Sequence, residues 1–214
     1  MKKKIYKRPR FRKLKHNDYK DFWCSLRDAR AINNHGSFVI LRDIDVYKTS
    51  QNFLIGDGIA GFSIQKEEMI SVHKNNKKAA ETEVRHILPK MVRCAFKHGA
   101  KYGDCYGEFL ANYYMSSGFI VVGKVEFDSL EDNPAEWNVG KFGKPFCYML
   151  IRGVKSVAEL DRLKSRGELS GFDAVKNNIP LFKTYEEAEE YRDELYNKVK
   201  IYGYKRRLEY IKNL

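Results

Sequence analysis

The side chains of this sequence with the plainest chemistry are basic ones crowded at its N-terminal end. Residues 1–15 carry nine positive charges and no acidic residue, within a formal net charge of +12 for all 214 residues. Tyr6 and Phe11 lie between these cations, and such a mixture neutralises phosphates and stacks on bases. The pattern predicts contact with nucleic acid or an acidic protein, and a flexible solubilising tail is the alternative. The predicted nucleic-acid contacts are Lys4, Lys7, Arg8, Arg10, Arg12 and Lys13.

The cysteines favour no metal site. Cys24, Cys94, Cys105 and Cys147 are far apart, with no CxxC pair and no histidine at ligand spacing. They are predicted to be reduced thiols of a cytoplasmic protein. No apolar stretch follows the charged start, and none approaches the length of a membrane span. We therefore expect neither a metal nor a membrane among the partners.

The first half of the chain predicts a helix followed by strands. Asn17 or Asp18 caps a helix that runs to about Ile32, with apolar residues at spacings of three and four. The β-branched and aromatic segment 38–47 predicts a strand. The segments FLIGDG, GIAGFSIQKE and EMISVHK then predict an antiparallel meander with turns at Gly56–Gly58 and Lys66–Glu68.

The second half alternates helices and strands. A helix is predicted over 81–98, kinked or shortened by Pro89, and Gly99 ends it. A strand over 102–106, a short helix over 107–116 and strands over 118–128 and 145–152 follow. Helices are predicted over 156–163 and 185–199, with a loop over 165–178.

These elements indicate an α/β (α+β) fold with a mixed, mostly antiparallel central sheet flanked by helices. The predicted organisation is a basic N-terminal arm over 1–15, flexible in the absence of a partner. A main domain over 16–152 follows, and a helical C-terminal extension over 153–214 completes the chain.

The segment Tyr114 to Phe119 spells Tyr-x-x-x-Gly-Phe, at the end of the short helix. Ile87 and Leu88 occupy the place of a paired apolar motif in the long helix before it. With this order of elements, residues 38–151 resemble the GNAT superfamily of N-acetyltransferases. The resemblance implies acyl transfer from acetyl-CoA or another acyl-CoA to an amine, with Tyr114 as the general acid.

The same resemblance implies a cofactor loop at Val72 and at Lys77, Lys78, Ala79 and Ala80. This loop departs from the family pattern, because no glycine lies between Gly61 and Gly99 to let the backbone approach a pyrophosphate. Candidates for the general base are Glu67, Glu68, His73 and Glu126, of which Glu68 and His73 are the predicted catalytic pair. The acidic loop 128–136 is placed to attract a cationic acceptor.

Three hypotheses remain open from the sequence. The first is an N-acyltransferase. The second is a catalytically inactive GNAT-like binding protein that uses its basic arm on nucleic acid. The third is a phage or mobile-element protein that modifies a host component through the same scaffold.

Overall fold

The computed structural model describes residues 10–33, 39–82, 86–126 and 146–214. It divides the chain into two compact units, Met1–Cys94 and Ala95–Leu214. The boundary falls within a helix of the predicted main domain, and segment 153–214 belongs to the second unit because it packs there. The predicted organisation into an arm, a main domain and a C-terminal extension stays a prediction.

The described residues form eight α-helices. They are α1 Tyr19–Ile32, α2 Ile44–Thr49, α3 Asn76–Thr82, α4 Leu88–Lys97, α5 Gly107–Met115, α6 Val157–Ser165, α7 Tyr185–Val199 and α8 Tyr204–Lys212. Short 3₁₀ turns lie at His16–Asp18 and Phe172–Ala174.

The strands are β1 Arg12–Lys13, β2 Gln51–Ile55, β3 Ala60–Gln65, β4 Glu68–Lys74, β5 Tyr102–Tyr106, β6 Phe119–Glu126, β7 Phe146–Arg152 and β8 Leu181–Phe182. In the first unit they lie in the order β1-β2-β3-β4, and every pair is antiparallel. In the second unit the order is β5-β7-β6-β8, and only β6 with β8 is parallel. The predicted mixed, mostly antiparallel sheet flanked by helices is confirmed.

The predicted meander is confirmed as β2, β3 and β4. Lys66 and Glu67 both have positive φ, 45° and 67°, as a two-residue type I′ hairpin requires. Register between β3 and β4 is broken once, because Ser63 faces Ile70 while Gly61 faces His73. β4 therefore carries one extra residue, a β-bulge that contains Ser71 at φ 52°.

The strand predicted over 38–47 is wrong. Residues 44–49 form α2, and the Asp43 side chain caps it by accepting a hydrogen bond from the Asp45 backbone N–H at 3.3 Å. The Tyr47 side chain is fully buried against Phe22, at 5.2 Å between ring centroids. Local capping and this tertiary contact override the β propensity of the segment.

The helix predicted over 81–98 is shorter than its pattern. α4 begins at Leu88 with Pro89 in its first turn, where a missing N–H costs nothing. The shortening that Pro89 predicts is confirmed. α3, just before it, was predicted to be a loop.

The described end of the basic arm belongs to the sheet. β1 pairs with β2, Leu14 is buried, and the Phe11 ring lies 5.4 Å from that of Phe62. Residues 11–14 therefore pack on the unit through the apolar side chains of Phe11 and Leu14. Lys4, Lys7 and Arg8 lie outside the described residues, and Arg10, Arg12 and Lys13 are exposed.

The C-terminal segment contains the predicted helices at α6 and α7, each begun by a capping hydroxyl from Ser156 or Thr184. It also supplies two elements that the sequence pattern did not predict, α8 and β8. Arg207 of α8 is 1% exposed. Its guanidinium donates hydrogen bonds to the backbone carbonyls of Tyr202, Arg152 and Lys200. This side chain anchors the segment to the end of β7.

Candidate active site

Tyr114 lies on α5 in the second unit, where its ring packs edge-on against Phe119 at 5.7 Å between centroids. Only 6% of the residue is exposed. Gly118, at φ 108°, makes the tight connection from α5 into β6 that brings the two aromatic rings together. The Tyr-x-x-x-Gly-Phe signature thus has a local structural function in this unit.

The Tyr114 hydroxyl holds its proton tightly. Burial raises its pKa well above the ordinary value of a phenol, and the neighbouring Cys105 and Asp104 raise it further. Burial and Asp104 likewise raise the pKa of the Cys105 thiol. Asp104 accepts a hydrogen bond from the Tyr185 hydroxyl at 3.3 Å, and the Cys147 thiol lies 3.7 Å from the same oxygen. The Tyr114 phenol therefore keeps its proton, with Cys105 and Asp104 as its neighbours.

His73, a predicted general base, is buried in the first unit. The bulge in β4 turns its ring inward, where it meets Phe22 edge-on at 5.2 Å between centroids. Burial lowers its pKa to about 4. The ring is therefore neutral at physiological pH, and it does not face solvent directly.

The two ring nitrogens of His73 have distinct partners. Nδ1 lies 3.1 Å from the Ser71 carbonyl oxygen, and Nε2 lies 2.9 Å from the hydroxyl oxygen of Ser25 on α1. A carbonyl only accepts, so Nδ1 carries the proton and Nε2 accepts from Ser25. The Ser25 hydroxyl is also 3.3 Å from the Gly58 carbonyl, a longer and weaker alternative acceptor.

Ser25 forms part of the wall of a cleft of about 300 Å³ in the first unit. The rest of the wall combines cationic and acidic side chains with one thiol and the turn between β2 and β3. Those residues are Arg12, Asp21, Cys24, Asp28, Leu54, Gly56, Asp57, Gly58 and Lys78. The hydroxyl of Ser25 therefore links a buried imidazole to a polar cleft.

The residues predicted to hold acyl-CoA lie at the end of β4 and on α3. Val72 is half-buried on β4. On α3, Lys77 and Ala80 are exposed and Ala79 is buried. The Lys78 ammonium group donates a hydrogen bond to the Asp57 carbonyl oxygen at 2.8 Å. Segment 76–82 is thus helical, which corrects the loop predicted there.

The start of α3 does not fit a pyrophosphate. A helix binds phosphate through N–H groups left over in its first turn. Here the Asn76 N–H donates to the Asn33 side chain at 3.1 Å, and the Lys78 N–H donates to the Asn75 side chain at 3.0 Å. Asparagine oxygens therefore occupy the positions that phosphate oxygens would need.

The remaining predicted base candidates lie in a hairpin turn or at the ends of strands. Glu68 is the half-buried first residue of β4, and Glu67 is in the hairpin turn. Glu126 is exposed at the end of β6. The acidic loop 128–136 lies outside the described residues. Among the part of the chain that the structure does describe, no group of His, Cys, Asp and Glu could hold a metal ion, and no helix is long and apolar enough to cross a membrane.

Ser25 is the site residue that the sequence analysis missed. It lies 48 positions before His73, and no motif joins the two. One signal was available, because Ser25 occupies the buried stripe of α1 together with Phe22, Leu26 and Ala29. A polar residue in such a stripe needs a buried partner.

No protein-family model and no curated protein matches this sequence. Among solved structures, the chain is similar to apo YjaB from Escherichia coli, at 13% identity and a TM-score of 0.41, covering 67% of this chain and 97% of that one. It is also similar to a chimera of the spermidine N-acetyltransferase SpeG from Vibrio cholerae with hSSAT, at 11% identity and a TM-score of 0.42, covering 72% and 98%. A second such chimera gives 10% identity and a TM-score of 0.40 over 71% and 97%. The likeness is distant.

Proposed function

We propose that this chain transfers an acyl group from a thioester donor to an amine, with Tyr114 as the hydrogen-bond donor to the reacting group. The observation that supports this is the protonated phenol of Tyr114 at the end of α5, next to Asp104 and Cys105. A thioester accumulates negative charge on its oxygen and then on its sulfur as an amine attacks. A fixed donor that cannot ionise stabilises that charge.

The raised pKa changes the role that the resemblance implies for Tyr114. A CoA-type thiol has a pKa near 8.5, well below that of this phenol. Full proton transfer from the phenol to the thiolate is therefore uphill. Tyr114 acts by donating a hydrogen bond and keeps its proton, and solvent protonates the departing thiolate.

Acyl-CoA is the donor class that the resemblance implies, and the closed start of α3 limits how it is held. With the Asn76 and Lys78 amides already paired, the diphosphate adds little to donor affinity. Acetyl-CoA and the short thioester S-acetyl-N-acetylcysteamine should then bind within about tenfold of each other, a difference of about 1.4 kcal/mol.

Calorimetric titration with acetyl-CoA tests the proposal directly. We expect measurable heat and a raised melting temperature at millimolar donor, and thiol release when lysine is added as an amine probe. If millimolar donor produces no heat and no thermal shift, thioester transfer is ruled out. If acetyl-CoA produces heat and the short thioester produces none, the nucleotide part of CoA binds to the protein at a place other than the start of α3.

Tyr114→Phe removes the donor and keeps the packing against Phe119. We expect thiol release to fall about 100-fold, with donor affinity nearly unchanged. Tyr113→Phe is the matched control, because Tyr113 is the adjacent, half-buried tyrosine of the same helix. If the two variants release thiol at equal rates, Tyr114 has no part in the reaction.

A second function, nucleic-acid binding, is favoured by the anchored end of the arm. β1 holds Arg12 and Lys13 on the exposed edge of the first unit, next to exposed Arg10. Substituting all three with Gln keeps β1 and removes three cations. The salt slope of nucleic-acid binding should fall by about 2–3 if each neutralises one phosphate. Lys164, Lys183 and Lys212, exposed in the second unit, are the control triple; an equal fall there would exclude a specific contact.

A further inference from the structure

The Ser25–His73 pair has the parts of an activated nucleophile, and acyl transfer by Tyr114 leaves it unused. We propose that Ser25 is a nucleophile, that His73 is its general base, and that the cleft beside Ser25 receives a small ester or thioester. The proposal concerns the first unit by itself and is independent of any role of Tyr114.

The hydrogen-bond pattern assigns the roles. The Ser71 carbonyl accepts a hydrogen bond from the Nδ1–H group of His73, so the lone pair of Nε2 points at Ser25, 2.9 Å away. A nucleophile, a base and a third group that orients the base are the three elements of hydrolase triads. Here a backbone carbonyl replaces the usual carboxylate, and it fixes the tautomer without adding a charge.

The surrounding structure holds the imidazole in this orientation at a conformational cost. Ser71 has φ 52°, an unfavourable value for a residue other than glycine. Its hydroxyl is fixed at 2.9 Å from the Tyr47 hydroxyl. At Gly61 a Cβ would come within 2.7 Å of the His73 ring, so the ring fills the space that the missing side chain leaves. Strain at a bulge that aims one buried side chain is common at functional sites.

The cleft gives Ser25 access to a ligand and limits its class. A volume of about 300 Å³ admits a small molecule. The residues of the wall include three aspartates and two cations. Lys78 already donates to the Asp57 carbonyl. The balance of charge favours a neutral or cationic acyl compound over a phosphorylated one.

The reaction follows from these contacts. The Ser25 oxygen attacks the acyl carbon, and its proton passes to Nε2 of His73. The bond from the acyl carbon to the leaving oxygen or sulfur breaks, and the leaving group takes that proton. Water then attacks the acyl-serine, gives a proton to Nε2, and the serine regains it as the acid departs.

Labelling with a fluorophosphonate ester tests the nucleophile. Attack forms a bond from Ser25 to phosphorus and expels fluoride, which adds a fixed mass to one tryptic peptide. We expect the adduct on Ser25 in the unmodified protein and no adduct there in Ser25→Ala. His73→Gln should slow labelling at least 100-fold. p-Nitrophenyl acetate should show a burst of nitrophenol of up to one equivalent in the protein and none in Ser25→Ala.

Two controls keep the result decisive. Ser63→Ala removes another buried serine hydroxyl, bonded to Asn52 at 2.8 Å with no histidine involved, and should label at the full rate. Mapping of the labelled peptide separates an adduct on Ser25 from one on the exposed Cys24 thiol in the cleft wall. Labelling of Cys24 alone, or no adduct on folded protein, would overturn the proposal. Binding or release of acetyl-CoA does not enter this readout.

The pH dependence of the labelling rate is a second test of the proposal. Besides Ser25, the groups that face His73 are Phe22 and the Ser71 carbonyl, and Lys78 is the charged neighbour that lowers its pKa further. With a pKa of about 4, His73 stays a neutral base down to that pH. The labelling rate should therefore be flat from about pH 8 to 5 and fall below it. A fall centred near 6.5 would show that the reacting base is an exposed histidine.

Discussion

The two units bury polar side chains in different ways. The first unit buries a neutral imidazole whose partner hydroxyl reaches a cleft. The second buries a guanidinium, Arg207, which donates hydrogen bonds to three backbone carbonyls. Both arrangements satisfy the buried group, as the cost of an unpaired one demands.

The contrast separates a reactive arrangement from an architectural one. Carbonyl acceptors have no proton to exchange, so Arg207 contributes order to α8 and no chemistry. Ser25 and His73 share a hydrogen bond across which the proposed reaction moves a proton, and Ser25 lines a cleft. Tyr114 is intermediate, because it carries a proton but is buried beside Phe119, Cys105 and Asp104.

The largest effect should come from breaking the architectural group. Arg207→Met keeps the apolar stem and leaves three carbonyls without their donor, so we expect a loss of about 3–5 kcal/mol in unfolding free energy. Arg206→Met is the matched control. Arg206 is exposed and its guanidinium lies over the Tyr202 ring at 4.2 Å, which is worth about 0.5–1 kcal/mol. Urea unfolding measures both, and a loss below about 1 kcal/mol for Arg207→Met would mean that water replaces the guanidinium.

The second effect is the pH dependence of stability that His73 produces. Its pKa is about 4 in the folded chain against 6.5 when unfolded, so the unfolded state binds the extra proton between these values. The contribution is complete above pH 6.5, falls as pH decreases and is lost below about 4. The difference between these two pKa values corresponds to about 3 kcal/mol of unfolding free energy. His73→Gln should flatten the urea-derived stability curve over this window, and an unchanged slope would show that the ring is solvated.

The smallest effect distinguishes two glycines with positive φ. At Gly58 a Cβ would lie 2.7 Å from the Ser25 hydroxyl oxygen, whereas at Gly99 nothing lies within 4 Å. Gly99→Ala should cost about 1–2 kcal/mol from backbone strain alone. Gly58→Ala should cost about 1–3 kcal/mol more, because the methyl group presses on Ser25. It should also slow fluorophosphonate labelling, and equal melting temperatures for the two variants would place Ser25 further from the turn.

Much of the fold follows from local patterns. The meander, β5, α5 and α7 lie where alternation, helical spacing and capping residues predict them. The segment 38–47 fails because its β-branched residues give no sign that Asp43 caps a helix and that Tyr47 enters the core. β1 and β8 were missed because two-residue strands have almost no pattern. α8 was missed because it is short and its buried face includes a charged residue, Arg207, beside Tyr204, Leu208 and Ile211.

The candidate sites divide in the same manner. Tyr114 could be identified from six consecutive residues, because its neighbours Gly118 and Phe119 are close in sequence. Ser25 could not, since the bond to His73 joins residues 48 positions apart and depends on a bulge that shifts one strand by a residue. Periodicity specifies which face of an element is buried, whereas only the packed structure decides which two polar side chains meet there. The reason is that burying a polar side chain costs free energy unless it has a hydrogen-bond partner, and that partner can be far away in the sequence.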